Sequence, residues 1–447
     1  MNAESSLRER IRARKADIVV LGLGHVGLPT ALVFARAGFN VKGVDNDLRK
    51  LEILKGGASS MREPGVQETL KECLHNGRLE VGSDGSDWIR NSSFVIVCVP
   101  TPVENAAPDL RSFEAAFGVI AACAHAELMI MIESTLPPST TSKVVAPELC
   151  RLGYKIDEEV FLAYCPERLA PMQALSEFVS NTRIVGGVGP KSGVIAAELY
   201  GTVCKDVLVT DSLTAELAKV SENTFRDLNI AYANLLAFIT EDLGGDVDQV
   251  IRLANTHPRV SIHRPGLGVG GPCLPKDPYM LIHNIPADLG MLIKVARRLN
   301  DRVPSAVVDL LARSLTAKGV AIGDAKVAVL GVAYKADMEN ATNSPAKPVV
   351  QELLARGARV STFDPYSLET FGAHRSSSIE QALHDVDCIV IVTPHSDFKS
   401  ITPNLIRRLA RPKCIVFDGP RMLDPVKLEE HGLIYLGTGY RRKERPF

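Results

Sequence analysis

What this sequence lacks narrows its reading first. No apolar run in the 447 residues approaches the ~18 needed to cross a bilayer, so no transmembrane span is expected. The first 15 residues are basic and polar and contain no apolar stretch of the secretory kind, so they are not read as a signal peptide. A short solvated helix is expected over Leu7–Lys15. There are nine cysteines, none of them in a C-x-x-C pair. Neither a zinc site nor a disulfide framework is indicated, no metal is expected, and the usage suits a reducing, cytoplasmic compartment. Cys98, Cys388 and Cys414 stand in apolar runs and read as core. Net charge is missing too: a formal −1 leaves no global field for nucleic acid or for a membrane surface. Any bound phosphate must be held by a local site.

What is present is an ordinary globular composition, 46% apolar and 23% charged, in a chain too long for one core. Such a length implies roughly two to four domains of ~100–200 residues. The first has a clear beginning. An apolar strand, Ile18–Leu23, runs into Gly22-Leu23-Gly24-His25-Val26-Gly27. A helical pattern over Leu28–Ala37 follows and closes at Gly38, and a second strand, Asn40–Val44, ends in Asp45. Strand, G-x-G-x-x-G, helix and an acidic residue about 20 positions on together form the dinucleotide fingerprint. The glycines admit a pyrophosphate to the helix N-terminus. Asp45 would take ribose hydroxyls and repel a 2′-phosphate, which favours NAD over NADP.

Further strands are expected at Phe94–Val99 and Leu128–Ile132, each followed by a polar loop. Short buried apolar runs between helices mark a parallel sheet, and ligands bind at its carboxyl ends. Thr101, Ser134 and Thr135 are therefore candidates for the nicotinamide half of the cofactor, or else plain turn and cap residues. Phe161–Cys165 reads as another strand, leading to Pro166-Glu167-Arg168, and Ile184–Gly187 and Val207–Thr210 read as the last strands of this unit.

From Asp211 to Gly244 the apolar period becomes helical, and a helix of ~30 residues, ~45 Å long, is expected to link two domains and to pack against its twin in a dimer. Lys219, Asn223 and Arg226 share one face of it, as a site or as a solvated stripe. Helices are expected again at Gln249–Asn255 and Ala287–Leu315. Between them, Gly266 to Asp277 holds four glycines in six residues, then Cys273, Lys276 and Asp277. Either this is a turn with a buried thiol, or a loop that brings a nucleophile to a ligand. A second strand–loop–helix series follows, with strands Lys326–Gly331, Ala358–Phe363 ending in Asp364, Cys388–Val392, and Cys414–Phe417 ending in Asp418. Its first loop, Gly331-Val332-Ala333-Tyr334-Lys335, has a lysine in place of G-x-G-x-x-G, which suits a separate phosphate. The expected fold is α/β, two Rossmann-like doubly wound parallel-sheet domains (1–210 and 316–447) joined by a helical middle (211–315) with a long central helix.

Taken with GLGHVGLP, VPTP, ESTLPPSTT, CPER, Lys219-x-x-x-Asn223, GVGGPCLPKD and GVAYKAD, the chain from about residue 17 to 425 resembles the UDP-glucose/UDP-N-acetylmannosamine dehydrogenase family. That family oxidises C6 of a nucleotide sugar to the acid with two NAD. The resemblance implies that Cys273 is the nucleophile, that Lys219 and Asn223 face the reacting oxygen, and that Asp277 with Lys219 orders a water and handles the first proton. It gives Glu167 thioester hydrolysis, with Thr135 at the same water. Gly22, Gly24, His25, Val26, Gly27, Asp45, Lys50, Val99, Pro100, Thr101, Ser134, Thr135 and Lys276 would line the cofactor. Glu167, Arg168, Lys219, Asn223 and Gly270 would line the sugar, and Tyr334, Lys335 and Arg421 would hold UDP. Arg226 and His263 match positions of the acetamido-sugar branch, and Arg259 is offered to the neighbouring subunit. Tyr164–Arg168, Asn223–Ala231 and His257–Val260 also resemble the N-acetylmannosamine branch, whereas Pro272 before Cys273 follows the UDP-glucose pattern. Where the family runs Arg-Glu-Ser-Pro, this chain has Thr342-Asn343-Ser344-Pro345, without the arginine expected near the cofactor. The expected activity is four-electron oxidation of a UDP-N-acetylhexosamine. UDP-glucose or UDP-N-acetylglucosamine is the alternative substrate. A one-hydride dehydrogenase and a silent NAD-binding regulator are the alternatives of other kinds.

Overall fold

The computed structural model describes residues 2–440. Two compact units emerge, Met1–Glu222 with Tyr279–Asn284, and Asn223–Pro278 with Ile285–Phe447, and the division falls inside the long helix Ser212–Asp242.

The first unit is built on an eight-stranded sheet. Its strands lie in the order Val207–Asp211, Arg183–Gly187, Val160–Tyr164, Leu128–Ile132, Phe94–Val97, Asp17–Leu21, Asn40–Val44 and Leu79–Gly82. Alternate residues of each central strand enter two different cores: Ile18, Val20, Phe94 and Ile96 on one face, Val19, Leu21, Val95 and Val97 on the other. Burial on both faces is why these segments read as unbroken apolar runs. The sheet is not parallel throughout. Val160–Tyr164 meets Arg183–Gly187 antiparallel, and Val207–Asp211 follows the reversed strand in parallel. The reversal turns Arg183, the first residue of its strand, to the edge where the six strands from Val160–Tyr164 to Leu79–Gly82 have their carboxyl ends.

The helix expected to be solvated over Leu7–Lys15 lies instead at Ala3–Arg12, and it is packed. Leu7 and Ile11, one turn apart, are buried in the same core as Phe34 and Tyr200. Arg8 and Arg12 both pair with Glu198, at 2.6 and 2.7 Å, on the helix Pro190–Tyr200. The basic composition masked a two-residue apolar stripe, which is enough for a helix braced by ion pairs.

The second unit holds a six-stranded sheet, parallel throughout, in the order His374–Arg375, Arg359–Phe363, Lys326–Leu330, Cys388–Ile391, Ile415–Asp418 and Ile434–Gly437. The helix Met291–Ala317 covers one face. Pro304 inside that helix has no N–H to give the Asn300 carbonyl. Gly268 fills the place so opened: a Cβ there would lie 3.1 Å from the Asn300 oxygen. No helix among the described residues is long and apolar enough to cross a membrane.

Candidate active site

In the first unit the strand Asp17–Leu21 delivers the chain into a cradle of glycines. Gly22 has φ +89°, and a Cβ on it would stand 2.7 Å from the Cys98 carbonyl oxygen. At Gly27 a Cβ would stand 1.8 Å from the Gly22 oxygen, whereas Gly24 faces open space. The helix Gly27–Arg36 that follows has no side-chain cap, so its first N–H groups and its dipole are left for an anion. His25 beside them is exposed. Asp45 closes the cradle. Its Oδ2 accepts the Leu23 N–H at 2.8 Å and the Lys50 ammonium at 2.7 Å, and its Oδ1 accepts the Asp47 N–H at 2.9 Å. Burial works against the charge, but Lys50 and the two N–H groups outweigh it and hold the carboxyl below its ordinary pKa.

The loops after the next two strands are tied to each other. The Thr101 hydroxyl donates to the Thr135 carbonyl at 2.7 Å, and the Ser134 hydroxyl to the Val99 carbonyl at 2.8 Å, which fixes Pro100 between them. Beneath them lies a charged group that sequence reasoning passed over. Glu133, buried, pairs with Arg183 and accepts the Tyr200 hydroxyl at 2.6 Å on the same oxygen. Its other oxygen accepts the Thr30 hydroxyl at 2.9 Å and the Cys98 thiol at 3.4 Å. Arg183 goes on to the Pro166 carbonyl at 3.2 Å and stands over the Tyr200 ring, 4.2 Å from its centre. One buried pair therefore joins the fingerprint helix, the 133–135 loop and the 165–168 loop. Burial pushes the Cys98 thiol well up, so it is inert.

Glu167, next to Pro166, meets Lys219 of the long helix. The ammonium donates to its Oε1 at 2.7 Å and to its carbonyl at 2.8 Å, and the Leu169 N–H reaches Oε2 at 2.9 Å. Burial alone would raise the Glu167 pKa, but the Lys219 charge and these hydrogen bonds turn the balance downward. Arg168 pairs with Glu222 at 2.8 Å and donates to the Thr182 carbonyl at 3.0 Å, as a brace of its own loop.

In the second unit Asn223 donates to Asp277 at 2.6 Å, and Lys276 stands 3.1 Å from the other oxygen of that buried carboxylate. Cys273 is half-buried. Its carbonyl accepts the Lys276 and Asp277 N–H groups at 3.0 and 2.9 Å, which ties the Cys273 backbone to the start of the short helix Asp277–Leu281. Asparagines of the long helix hold the chain leading there: Asn229 binds Ser261 and His263, and Asn234 binds Gly266. Arg226, Arg259 and Lys335 are exposed. Arg421, expected at a nucleotide, spans Asp246 at 2.7 Å and Asp248 at 3.4 Å and packs on Tyr440. Nothing in the sequence marked Asp246 as its partner.

Asp364 repeats the position of Asp45 but in another use. Its oxygens accept the Val332, Ala333, Tyr366 and Ser367 N–H groups, and His395 Nε2 lies 2.9 Å away. The Asp337 N–H donates to His395 Nδ1, which leaves the ring proton on Nε2, facing Asp364. Despite burial, these donors hold the Asp364 carboxyl down at about 2. The acid shapes the loop Gly331–Tyr334 from below.

Comparison with known proteins accounts for most of the chain. The NAD binding domain of the UDP-glucose/GDP-mannose dehydrogenase family matches residues 16–204, its central domain residues 213–302 and its UDP binding domain residues 328–425. The chain belongs to this family. Among its members, the UDP-N-acetyl-D-mannosamine dehydrogenase of Pyrococcus horikoshii is 40% identical over 94% of this chain and 99% of its own. A solved structure of UDP-D-ManNAc dehydrogenase from the same organism has a TM-score of 0.89 at 39% identity, covering 95% and 99% of the two chains. An NDP-N-acetyl-D-galactosaminuronic acid dehydrogenase from Methanosarcina mazei Go1 has a TM-score of 0.85 at 30% identity over 98% of each.

Membership makes NAD the cofactor, and the cradle fits it. The uncapped helix and the open face of Gly24 suit a pyrophosphate, and the ionised Asp45 suits ribose hydroxyls. The family's UDP binding domain is the second sheet, whose carboxyl-end loop Gly331–Lys335 is the one shaped by Asp364.

Proposed function

We infer that this protein oxidises the C6 alcohol of a UDP-N-acetylhexosamine, UDP-N-acetyl-D-mannosamine first among them, to the uronic acid, with Cys273 as a covalent tether. The observation that carries the substrate is the end-to-end likeness to the P. horikoshii enzyme of that name. NAD, when bound, takes a hydride from C6 in each of two oxidations. In the first, Asp277 and Lys219 order a water that receives the hydroxyl proton. The Cys273 thiolate then adds to the aldehyde carbon, forming a C–S bond and a thiohemiacetal whose oxygen Lys219 and Asn223 stabilise. That oxygen, negatively charged, re-forms a carbonyl as the second hydride leaves, and a thioester results. Glu167, with Thr135 at the same water, draws a proton from water, which attacks the thioester carbon; the C–S bond breaks and the thiolate returns. The short Asn223–Asp277 contact and the ionised Glu167 support these roles.

Thr101, Ser134, Thr135, Lys50 and Lys276 belong to the cofactor side of this reading. Arg168, Arg226, His263, Gly270, Tyr334, Lys335 and Arg421 belong to the substrate side. The domains are 1–210, 211–315 and 316–447, and the compartment is the cytoplasm. A homodimer is part of the reading, with Arg259 given to the partner's sugar. It is supported by the exposed apolar stripe Phe225, Tyr232, Leu235 and Ile239 on one helix.

A panel of purified nucleotide sugars tests the substrate. Two NADH per UDP-N-acetylmannosamine with none from UDP-glucose is expected. The reverse yield, which the UDP-glucose-like Pro272 would favour, overturns the acetamido reading. NAD binding without turnover of any sugar would point to a regulator instead.

A further inference from the structure

The peptide two residues before Cys273 is held on both sides by one turn of the second unit. The Gly271 N–H donates to the Thr342 carbonyl at 2.9 Å, and the Asn343 side-chain amide donates to the Gly271 carbonyl at 3.1 Å. The contact is also closed sterically. A Cβ on Gly270 would lie 2.9 Å from the Asn343 oxygen, from Pro345 and from Tyr334, and one on Gly271 would lie 2.9 Å from the Tyr334 ring. Gly271 needs its φ of +92°, which other residues rarely adopt. Asn343 itself sits at φ +50°, a conformation asparagine tolerates. The turn is made rigid locally, by the Thr342 N–H on Asn340 at 2.8 Å and the Ser344 N–H on Ala341 at 3.1 Å. On the other side of Cys273 its own carbonyl is fixed by Lys276 and Asp277. The thiol thus hangs from a short span with two anchors, and Asn343 is the side chain that makes the upstream one.

We propose that Asn343 is a positioning residue for the second oxidation, because its amide sets the Gly271 peptide and so the approach of the Cys273 sulfur to the aldehyde carbon. This rests on the reading of Cys273 as nucleophile. The first hydride leaves before any C–S bond exists and does not depend on where the sulfur is. The second leaves from the thiohemiacetal, whose formation does. A misplacement of ~1 Å can cost on the order of 100-fold in such a step. Losing the Asn343 amide therefore separates the two oxidations.

The test compares wild type, Cys273→Ser and Asn343→Asp, with NAD+, the nucleotide sugar identified by the panel, and hydroxylamine, which condenses with free aldehyde to an oxime and water. Asn343→Asp keeps size and the left-handed turn, but sets a carboxylate oxygen against the Gly271 carbonyl. Wild type yields two NADH per sugar and no oxime, and Cys273→Ser yields about one with oxime. Asn343→Asp is expected between them, with oxime formed. Its first hydride phase and its KM for NAD+ stay at wild-type values, and its second phase slows about 10-fold or more. Asn343→Gly keeps the turn and removes only the amide, and gives the same readout should the carboxylate disrupt folding. Two NADH at the wild-type rate from both Asn343 variants overturns the proposal. So does an equal slowing of both phases, which marks a structural role. Two NADH from Cys273→Ser instead brings down the nucleophile reading itself, and the proposal with it.

Discussion

Lys219 and Glu167 occupy a place with little water, 4% and 9% exposed, so neither charge is stable there without the other. Lys219→Met should lower stability by about 3–5 kcal/mol, since it strands a buried carboxylate. It should also shift the pH dependence of whatever turnover survives. In the wild type the ammonium keeps Glu167 ionised well into acid; without it burial raises the carboxyl pKa, and the acid limb moves to higher pH. Denaturant unfolding and a pH–rate profile check the two halves of this. Asp45→Asn keeps an acceptor for the Leu23 N–H but loses the charge held by Lys50. The KM for NAD+ should rise about 10-fold, worth ~1.4 kcal/mol, and discrimination against NADP+ should fall. Steady-state kinetics with both cofactors measure it. Asp45, Lys219 and Cys273 stand out in the sequence as candidates because each stands at a fixed distance from glycines, a strand end or a helical neighbour. Asn343 could not, because its partner Gly271 is distant in the chain and the bond is made by a turn whose shape only the fold shows.

Among the elements, the reversed strand Arg183–Gly187 decides most. Were it parallel to its neighbour, Arg183 would start at the far edge, away from Glu133 and Pro166. Short apolar runs announce a strand but not its direction, which is why the strand was legible while the charge pair it makes was not. Arg183→Met should destabilise the protein by about 3–5 kcal/mol by leaving Glu133 buried and unpaired. Arg10→Met, which breaks an exposed pair with Glu127, should cost at most ~1 kcal/mol. Denaturant titrations of the two variants make the comparison, and similar losses would mean that the buried pair is no anchor. The N-terminal helix was misjudged for a related reason: Leu7 and Ile11 are too few to stand out among charges, and Glu198, which secures it, is far along the chain.

For the molecule as a whole, the two sheets share one plan with different uses. The acid after the second strand was visible in each. What it does was not, because that depends on whether donors crowd around it. Asp364 is held at about 2, below the ~3.9 of an unfolded aspartate. Its folded carboxyl is depressed, so its stabilisation is complete above about pH 4 and is lost as pH falls toward 2. Asp364→Asn should be less stable than wild type at neutral pH by about 2–4 kcal/mol, and the gap should close in acid. Unfolding midpoints from pH 7 to 2.5 follow it; a gap that stays constant would remove the charge from the account. Association belongs to this scale as well. If the proposed homodimer uses the exposed helical stripe, the wild type should sediment as a dimer in analytical ultracentrifugation and Leu235→Asp and Tyr232→Asp as monomers; a monomeric wild type overturns that part of the proposal.

The helix Ala3–Arg12 has a practical meaning. The family match begins at residue 16, so a chain trimmed to the shared core would keep every cofactor residue and still lose this helix. The seat of Leu7 and Ile11 beside Phe34 and Tyr200 would then open to water, and Glu198 would lose both its arginines. A shortened protein of that kind is expected to be sticky rather than unfolded: able to bind NAD, prone to clump on storage, and poor material for the very kinetics that would establish what it does.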